Sequence, residues 1–338
     1  MLCKRAWKRF EKHTDRCLAR SDLMENIQNL QKGKPEMRDP LDTSGSVNLF
    51  LKFVGEREII RLKRASGGLA PWTDNEVLKK YRFCNVHRKD DRVSAWLIQH
   101  YYIRTSTATQ KQYDTWFWAA VARLINWPPT LLALMMKNAI PYRVEDYNPE
   151  KFAATLENIH KKNPAKTYTG AYMLYAGGRA SNNKMVKSSF IAHHLLGGLV
   201  VNKDEIRAAV ARNSIRDTVD ALRQSHGVST FMAGQIAADL SYLPELKNAV
   251  DIYKYAPQGP GSLRGLNRLM FSPLSRTWDT DMWNDELIKL NERIKRDIKI
   301  TDLTLHDVQN CLCEFDKYMR TITGEGRPRS EYRPETAY

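Results

Sequence analysis

Apolar residues recur at steps of three and four in one segment after another of this chain, and two-residue alternation is never sustained. A step of three or four keeps side chains on one face of an α-helix, whereas a strand needs a step of two. The clearest case runs from Thr304 to Thr321. Leu305, Val308, Leu312, Phe315 and Met319 form one stripe. Asp307, Asn310, Glu314 and Lys317 form a second, offset by two residues and so on roughly the opposite face. β-Branched residues are scattered. The predicted fold class is mostly α.

Along the chain, residues 3–31 read as a basic amphipathic helix with Trp7, Phe10, Leu18 and Met24 on its apolar face. Residues 33–46 hold two prolines and two glycines and read as a linker. Residues 47–64 pass from apolar to basic and stop at Gly67-Gly68 and Pro71. Thr73-Asp74-Asn75-Glu76 has the pattern of a capping box, which opens a long helix towards Arg104. Further helices are expected at 113–126, after Pro128-Pro129 to Lys137, and at 149–162, 168–177, 185–199, 203–224, 230–241, 281–298 and 304–321.

Composition narrows the function. The chain carries 53 Lys and Arg against 38 Asp and Glu, a formal charge of +15, which suits a polyanionic partner such as nucleic acid. The longest apolar run, Leu131 to Met136, is far short of the ~18 residues of a membrane span. The charged N-terminus has no signal-peptide core. Cys3, Cys17, Cys84, Cys311 and Cys313 form neither a disulfide framework nor a zinc ladder, so a reducing cytoplasm and no metal are expected. Adjacent His193 and His194 point apart on a helix and read as structural.

Four segments can carry chemistry. Arg82, Asn85, Arg88 and Arg92, with Asp91 beside them, recur at helical steps, and guanidiniums around an amide bind phosphate. The same spacing also fits a solvated charged face. Ile215 to Leu240 reads as two helices around a tight His226-Gly227-Val228-Ser229 turn leading into Thr230. That is the layout of a helix-hairpin-helix, whose turn amides hold a DNA phosphate, or of an ordinary helical hairpin. Gly259-Pro260-Gly261-Ser262-Leu263-Arg264 and Arg268 read as a phosphate-approaching loop or as a structural turn. The stripe of Asp307, Asn310, Glu314 and Lys317 reads as an active-site wall or as a solvated face. No nucleophile elbow, zinc-protease helix, kinase loop or nucleotide-phosphate loop occurs in these residues.

Taken in order, these segments resemble the amino acid:DNA transferases of phage base hypermodification, also described as α-glutamyl/putrescinyl-thymine pyrophosphorylases. The residues that carry the likeness are Tyr81 to Arg88 with Asp91-Arg92, Gly227 to Leu240, Gly259 to Leu266, and Asp307-Val308-Gln309-Asn310 with Cys313 to Tyr318. The resemblance spans roughly residues 72–330. That family's helical module is shared with 5-hydroxymethyluracil DNA kinases and resembles helix-hairpin-helix DNA glycosylases, in which a catalytic aspartate, often in a Val-Asp pair, follows the hairpin. Here Val250-Asp251 lies 24 residues after Gly227, with Asp239 as its competitor.

What the resemblance implies is a phage-encoded enzyme in the host cytoplasm with a glycosylase-like helical fold. Its organisation would be a basic extension over 1–70, a helical catalytic domain over 71–330 with the hairpin at about 213–241, and a tail over 331–338. It would act after a kinase on double-stranded DNA containing phosphorylated 5-hydroxymethyluracil. With no cofactor, it would displace (pyro)phosphate with the amine of an amino acid or polyamine. Arg82, Arg88, Arg92, Gly259, Gly261 and Arg264 would meet phosphate. Asp251, Asp239 or Glu314 would take the amine's proton, and Lys317 or Arg268 would pair with an amino-acid carboxylate. Asn85, Asp91, Asp307 and Asn310 would contact substrate, and Gly227, Ser229 and Thr230 would contact DNA. A thiol attack on the base through Cys84 or Cys313 is a lesser route. A base-excision enzyme and a non-catalytic DNA-binding protein are the alternatives.

Overall fold

The computed structural model describes residues 44–106, 113–168 and 187–326, with 328, 331 and 332. The helices expected at 3–31 and 168–177, the first part of the 1–70 extension and most of the 331–338 tail lie outside the described residues. In chain order the helices are α1 (Ser44–Ala65), α2 (Glu76–Lys80), α3 (Arg92–Ser106), α4 (Thr115–Ile125), α5 (Pro128–Met136) and α6 (Pro149–Lys162). α7 joins Lys187–Ser189, a π-helical Phe190–Leu196 and Gly197–Val201. Then come α8 (Lys203–Ala211), α9 (Ile215–Arg223), α10 (Thr230–Leu240), α11 (Pro260–Leu269), α12 (Thr280–Arg293, running into a π turn at Ile294–Ile298) and α13 (Leu305–Ile322). Among the described residues no sheet forms, only an isolated bridge between Tyr81 and Glu331. The protein is mostly helical, as its periodicity predicts.

The chain divides into two compact units. The first unites the described residues up to Val86 with Pro260–Leu303 and the described residues from Asp307 onward, and the second holds the described residues of His87–Gly259 with Thr304–His306. In the first unit, Phe50, Leu51, Phe53 and Val54 of α1, Trp283 and Leu287 of α12, and Leu312 and Phe315 of α13 are buried. Residues 44–65 are therefore an integral part of a core rather than an appendage to it. The Phe315 ring packs edge-on against Phe50 at 5.4 Å, and Tyr318 lies 4.7 Å from Phe53. Gly265 is where α11 meets α13: a Cβ there would sit 2.1 Å from the Leu312 carbonyl oxygen.

The second unit is built around α4, which is buried along its whole length, and α10, buried from Met232 to Leu240. Ile215, Val219 and Leu222 of α9 and Met232, Ile236 and Leu240 of α10 are buried, as the hairpin reading requires.

Two expectations about helices are corrected. The stretch from Thr73 to Arg104 is not one helix. Asn75, not Thr73, caps α2, accepting from the Val77 and Leu78 amides. The chain leaves helical geometry at Tyr81, runs extended, and makes a 3-10 turn at Arg88–Asp90 before α3 begins. The reason is tertiary: the Cys84 N–H donates to Glu314 and its carbonyl accepts from Arg57, so side chains satisfy groups that a helix would pair internally. Arg82, Asn85, Arg88 and Arg92 thus share no helical face. The helix expected at 203–224 is also broken, at Asn213, which takes a left-handed φ of 55°.

Gly265→Ala tests the α11–α13 approach. The clash is with backbone, which cannot rotate away, so the variant should lose about 1–3 kcal/mol in urea unfolding. An unchanged midpoint would show that the two helices separate freely.

Candidate functional site

In the first unit, α13 organises the candidate residues on two faces. Asp307, Asn310 and Glu314 are buried, so this stripe is not the solvated face that its polarity also allowed. Glu314 accepts from the Cys84 N–H at 3.0 Å and forms an ion pair with Lys317 at 2.5 Å. Lys317 also donates to the Arg82 carbonyl at 3.1 Å and lies 4.5 Å from the centre of the Phe83 ring. Burial works against charge on Glu314, but Lys317, Arg57 and the Cys84 N–H outweigh it and hold the carboxyl below its ordinary value. Burial pushes the Cys311 thiol up to about 11, which removes it as a nucleophile near neutral pH.

The other face of α13 carries Asp316. Arg264 and Arg268 donate to its two carboxylate oxygens, and Arg320 approaches to 3.4 Å. Arg268 continues to Glu325. Arg264 and Arg320 remain more than a third exposed, so their outer edges face water while Asp316 is enclosed. Gly261 serves packing rather than an open loop, because a Cβ there would lie 2.5 Å from Cys313 Sγ.

In the second unit, buried Arg88 donates to Asp91 at 2.8 Å and to Gln235 Oε1 at 2.7 Å. Arg92 opens α3 with its guanidinium 4.5 Å from the centre of the Trp127 ring. His306 is enclosed beside Gly234. Burial, aided by the charge of Arg88 and opposed by a hydrogen bond to the Gly234 backbone, pushes its imidazole down to about 3, so it is neutral.

The two aspartates named as bases have different surroundings. Asp239 is wholly buried and held by Arg123 and by the Ser94 hydroxyl at 2.9 Å. Asp251 is half-buried and accepts from the Ile215 amide at 2.7 Å, the Arg216 amide at 2.9 Å and the Ser214 hydroxyl at 3.1 Å. It binds the start of α9, where orphan amides and the helix dipole favour an anion.

Gly227 has φ of 79°, and a Cβ there would meet Leu195 Cδ2 at 2.6 Å, so glycine is required twice over. Ser229 caps α10 by accepting from Met232 N–H, with Thr230 as the first helical residue. Gly259 is buried at the end of the second unit. His193 and His194 are both exposed. Among the described residues no group of three or more His, Cys, Asp or Glu could hold a metal ion, and no helix is long and apolar enough to cross a membrane.

Residues 44–327 match the family model for the helical domain of 5-hmdU DNA kinase. The chain belongs to that family. It is similar to the 5-hmdU DNA kinase of Bacillus phage SP10, at 24% identity over 305 residues, which are 85% of this chain and 47% of that protein. The chain therefore spans about half the length of that relative. No solved structure matches it. The match covers α1 and all the clusters above, so the helix preceding residue 70 is part of the family's helical domain.

Sequence reasoning passed over Arg57, Arg123, Gln235, His306 and Arg320. A signal existed for two of them: Arg123 stands alone in the apolar run from Trp116 to Ile125, and Gln235 and Asp239 sit one helical turn apart in another apolar helix. Isolated polar groups in such runs need buried partners.

Two measurements follow from these environments. Asp239→Asn leaves Arg123 buried against a neutral amide and should cost about 3–5 kcal/mol in equilibrium unfolding. Asp251→Asn weakens only a helix cap and should cost about 0.5–2 kcal/mol. Equal losses would contradict the difference in burial. For pH, His306 titrates near 3 when folded against an ordinary 6.5, so the unfolded chain binds more protons between those values. Its contribution is complete above pH 6.5 and falls as the solution is acidified towards 3. The urea midpoint should therefore drop between pH 7 and 5, and less so in a folded His306→Asn variant. A parallel drop in both proteins would assign the effect to other groups.

Proposed function

We propose that this chain works in phage thymidine hypermodification and is a transferase rather than the kinase. On this reading, the amine of an amino acid or polyamine attacks the C5 methylene of 5-(pyro)phosphomethyl-deoxyuridine in DNA. The new C–N bond forms as the C–O bond to the leaving group breaks. The bonding pair departs with the (pyro)phosphate oxygen, and a carboxylate takes the amine's proton.

The observation that carries the coarse reading is the match of residues 44–327 to the helical domain of 5-hmdU DNA kinase. The finer reading draws support from two features. The guanidiniums of Arg264, Arg268 and Arg320 gather on one buried carboxylate, which orients them while two keep an exposed edge for phosphoryl oxygens. The +15 charge and the hairpin at Gly227 and Ser229 suit a DNA backbone, and a flipped base suits chemistry at its C5 substituent. Within a glycosylase-like helical fold, Asp251 is the carboxylate assigned to proton acceptance, because it is reachable while Asp239 is committed to Arg123. Glu314, held ionised by Lys317, positions that lysine.

The test is to incubate the protein with 5-phosphomethyl- or 5-pyrophosphomethyl-uracil DNA and a mixture of amines, then digest to nucleosides for mass spectrometry. A thymidine–amine adduct is expected. A missing base would instead support excision, and unchanged DNA would support a binding role. Arg264→Ala leaves Asp316 paired with Arg268 and Arg320, so the fold should hold while transfer falls by ~10² to 10³, the usual worth of one charge-stabilising donor. Full activity in that variant would remove Arg264 from the phosphate site.

A further inference from the structure

Helix α11 ends on a residue that its own geometry disfavours. The Ser272 N–H donates to the Asn267 carbonyl at 2.9 Å and the Phe271 N–H to the Arg268 carbonyl at 3.4 Å, the bond pair of a Schellman cap. The position that Phe271 holds in such a cap takes left-handed backbone and is usually glycine, and here φ is 48°. A Cβ in that conformation crowds the following carbonyl, and a bulky side chain there is a genuine outlier. Among the described residues the other non-glycines at positive φ are Asn126, Asn138, Asn213 and Lys299, three of them the short amide that tolerates it. Burial does not compensate, because the Phe271 ring is 66% exposed. A residue that adds strain and buries little in return points to a role at the surface.

The loop that follows is held firmly from below. Asn267, wholly buried, donates through Nδ2 to the Leu274 carbonyl at 3.2 Å and the Arg276 carbonyl at 2.9 Å, and accepts at Oδ1 from Trp278 Nε1 at 2.7 Å. Exposed Arg276 has its guanidinium 4.0 Å from the centre of the Trp278 ring and donates to the Ser272 hydroxyl at 3.0 Å. Phe271 and Leu274, both exposed, thus belong to an ordered loop with a cation in it, and the helix leading into that loop carries Arg264 and Arg268.

We propose that Phe271 is a base-stacking contact: its ring receives a nucleobase that has left the DNA stack, while Arg276 meets a neighbouring phosphate. This rests on the DNA-acting reading above and adds a contact outside the hairpin at Gly227. Charge selects the occupant. An aromatic ring with arginines around it, on a chain of net charge +15, matches a polyanion whose every base has a π-face. Because the loop is already ordered, little freedom is lost on binding. Bases in an intact duplex are already stacked on each other, so the contact favours DNA with an unpaired base.

The test is fluorescence anisotropy of the full chain with a fully paired duplex and with the same duplex carrying one unpaired thymine. Tighter binding of the second is expected. Phe271→Gly places in the cap the residue that it favours, so the urea midpoint should not fall, yet affinity for the unpaired-thymine duplex should drop about tenfold, the usual worth of one stacked base. Affinity for the paired duplex should change little, and Phe271→Tyr should retain the preference. Equal binding of both duplexes by the wild type, an unchanged preference in Phe271→Gly, or a lowered midpoint in that variant would overturn the proposal. So would a dimer, seen by sedimentation, that Phe271→Gly dissolves, since the ring would then serve contact between copies. Neither an amine nor a modified base is present, so the two readings fail separately: DNA left unmodified in the adduct assay with this preference intact strikes only the transferase, and adduct formation without the preference strikes only the stacking contact.

Discussion

The first unit depends on enclosing α13 on both faces. A helix normally turns one stripe to the core and the other to water, and the second stripe then needs no partners. Here Asp307, Asn310 and Glu314 are buried, as Val308 and Leu312 are. Each polar group taken from water must find a partner or cost on the order of 1–3 kcal/mol. That requirement shapes the surroundings. The chain from Tyr81 to Val86 stays extended so that Cys84 can present its N–H to Glu314 and its carbonyl to Arg57. On the other face, α11 comes close enough that Gly261 and Gly265 have no room for a Cβ, and its arginines reach Asp316.

The second unit solves a similar problem with one ion pair. Arg123 and Asp239 lie on two apolar helices, α4 and α10, and neither charge is tolerable alone. Joined, and completed by Ser94, they specify how these helices face each other. Such a pair contributes more to uniqueness than to net stability, because the cost of desolvating both ions offsets most of their attraction. Arg88 and Gln235 repeat the device nearby with a neutral acceptor.

These arrangements bear on chemistry. Carboxylates already bound by guanidiniums or backbone amides keep their charge and their orientation, which suits stabilising a developing charge more than accepting a proton. Asp251 stands between the two cases, oriented by two amides yet half-exposed. Glu245 differs from both: burial pushes its carboxyl up, against hydrogen bonds with Thr115, its own amide and Tyr101.

Helical periodicity alone determined the class of this protein, the burial of Ile215, Val219, Leu222, Met232, Ile236 and Leu240, and the hairpin turn at Gly227. Those features are local: side-chain spacing sets a helix face, and a left-handed φ at a tight turn calls for glycine. The run from Tyr81 to Arg92 was illegible for the opposite reason. Its helical spacing is genuine, but local preference is worth only tenths of a kcal/mol per residue, less than the buried hydrogen bonds made by Cys84 and Arg88 with residues far along the chain. The same holds for Asp239, Asp251 and Glu314. A sequence names a carboxylate, but whether it meets Arg123, the amides of α9 or the Cys84 N–H depends on packing between segments 35 to 230 residues apart. Tertiary structure decided which charges are paired, because partners are set by distance in space, and spacing along the chain reports only the face from which each one starts.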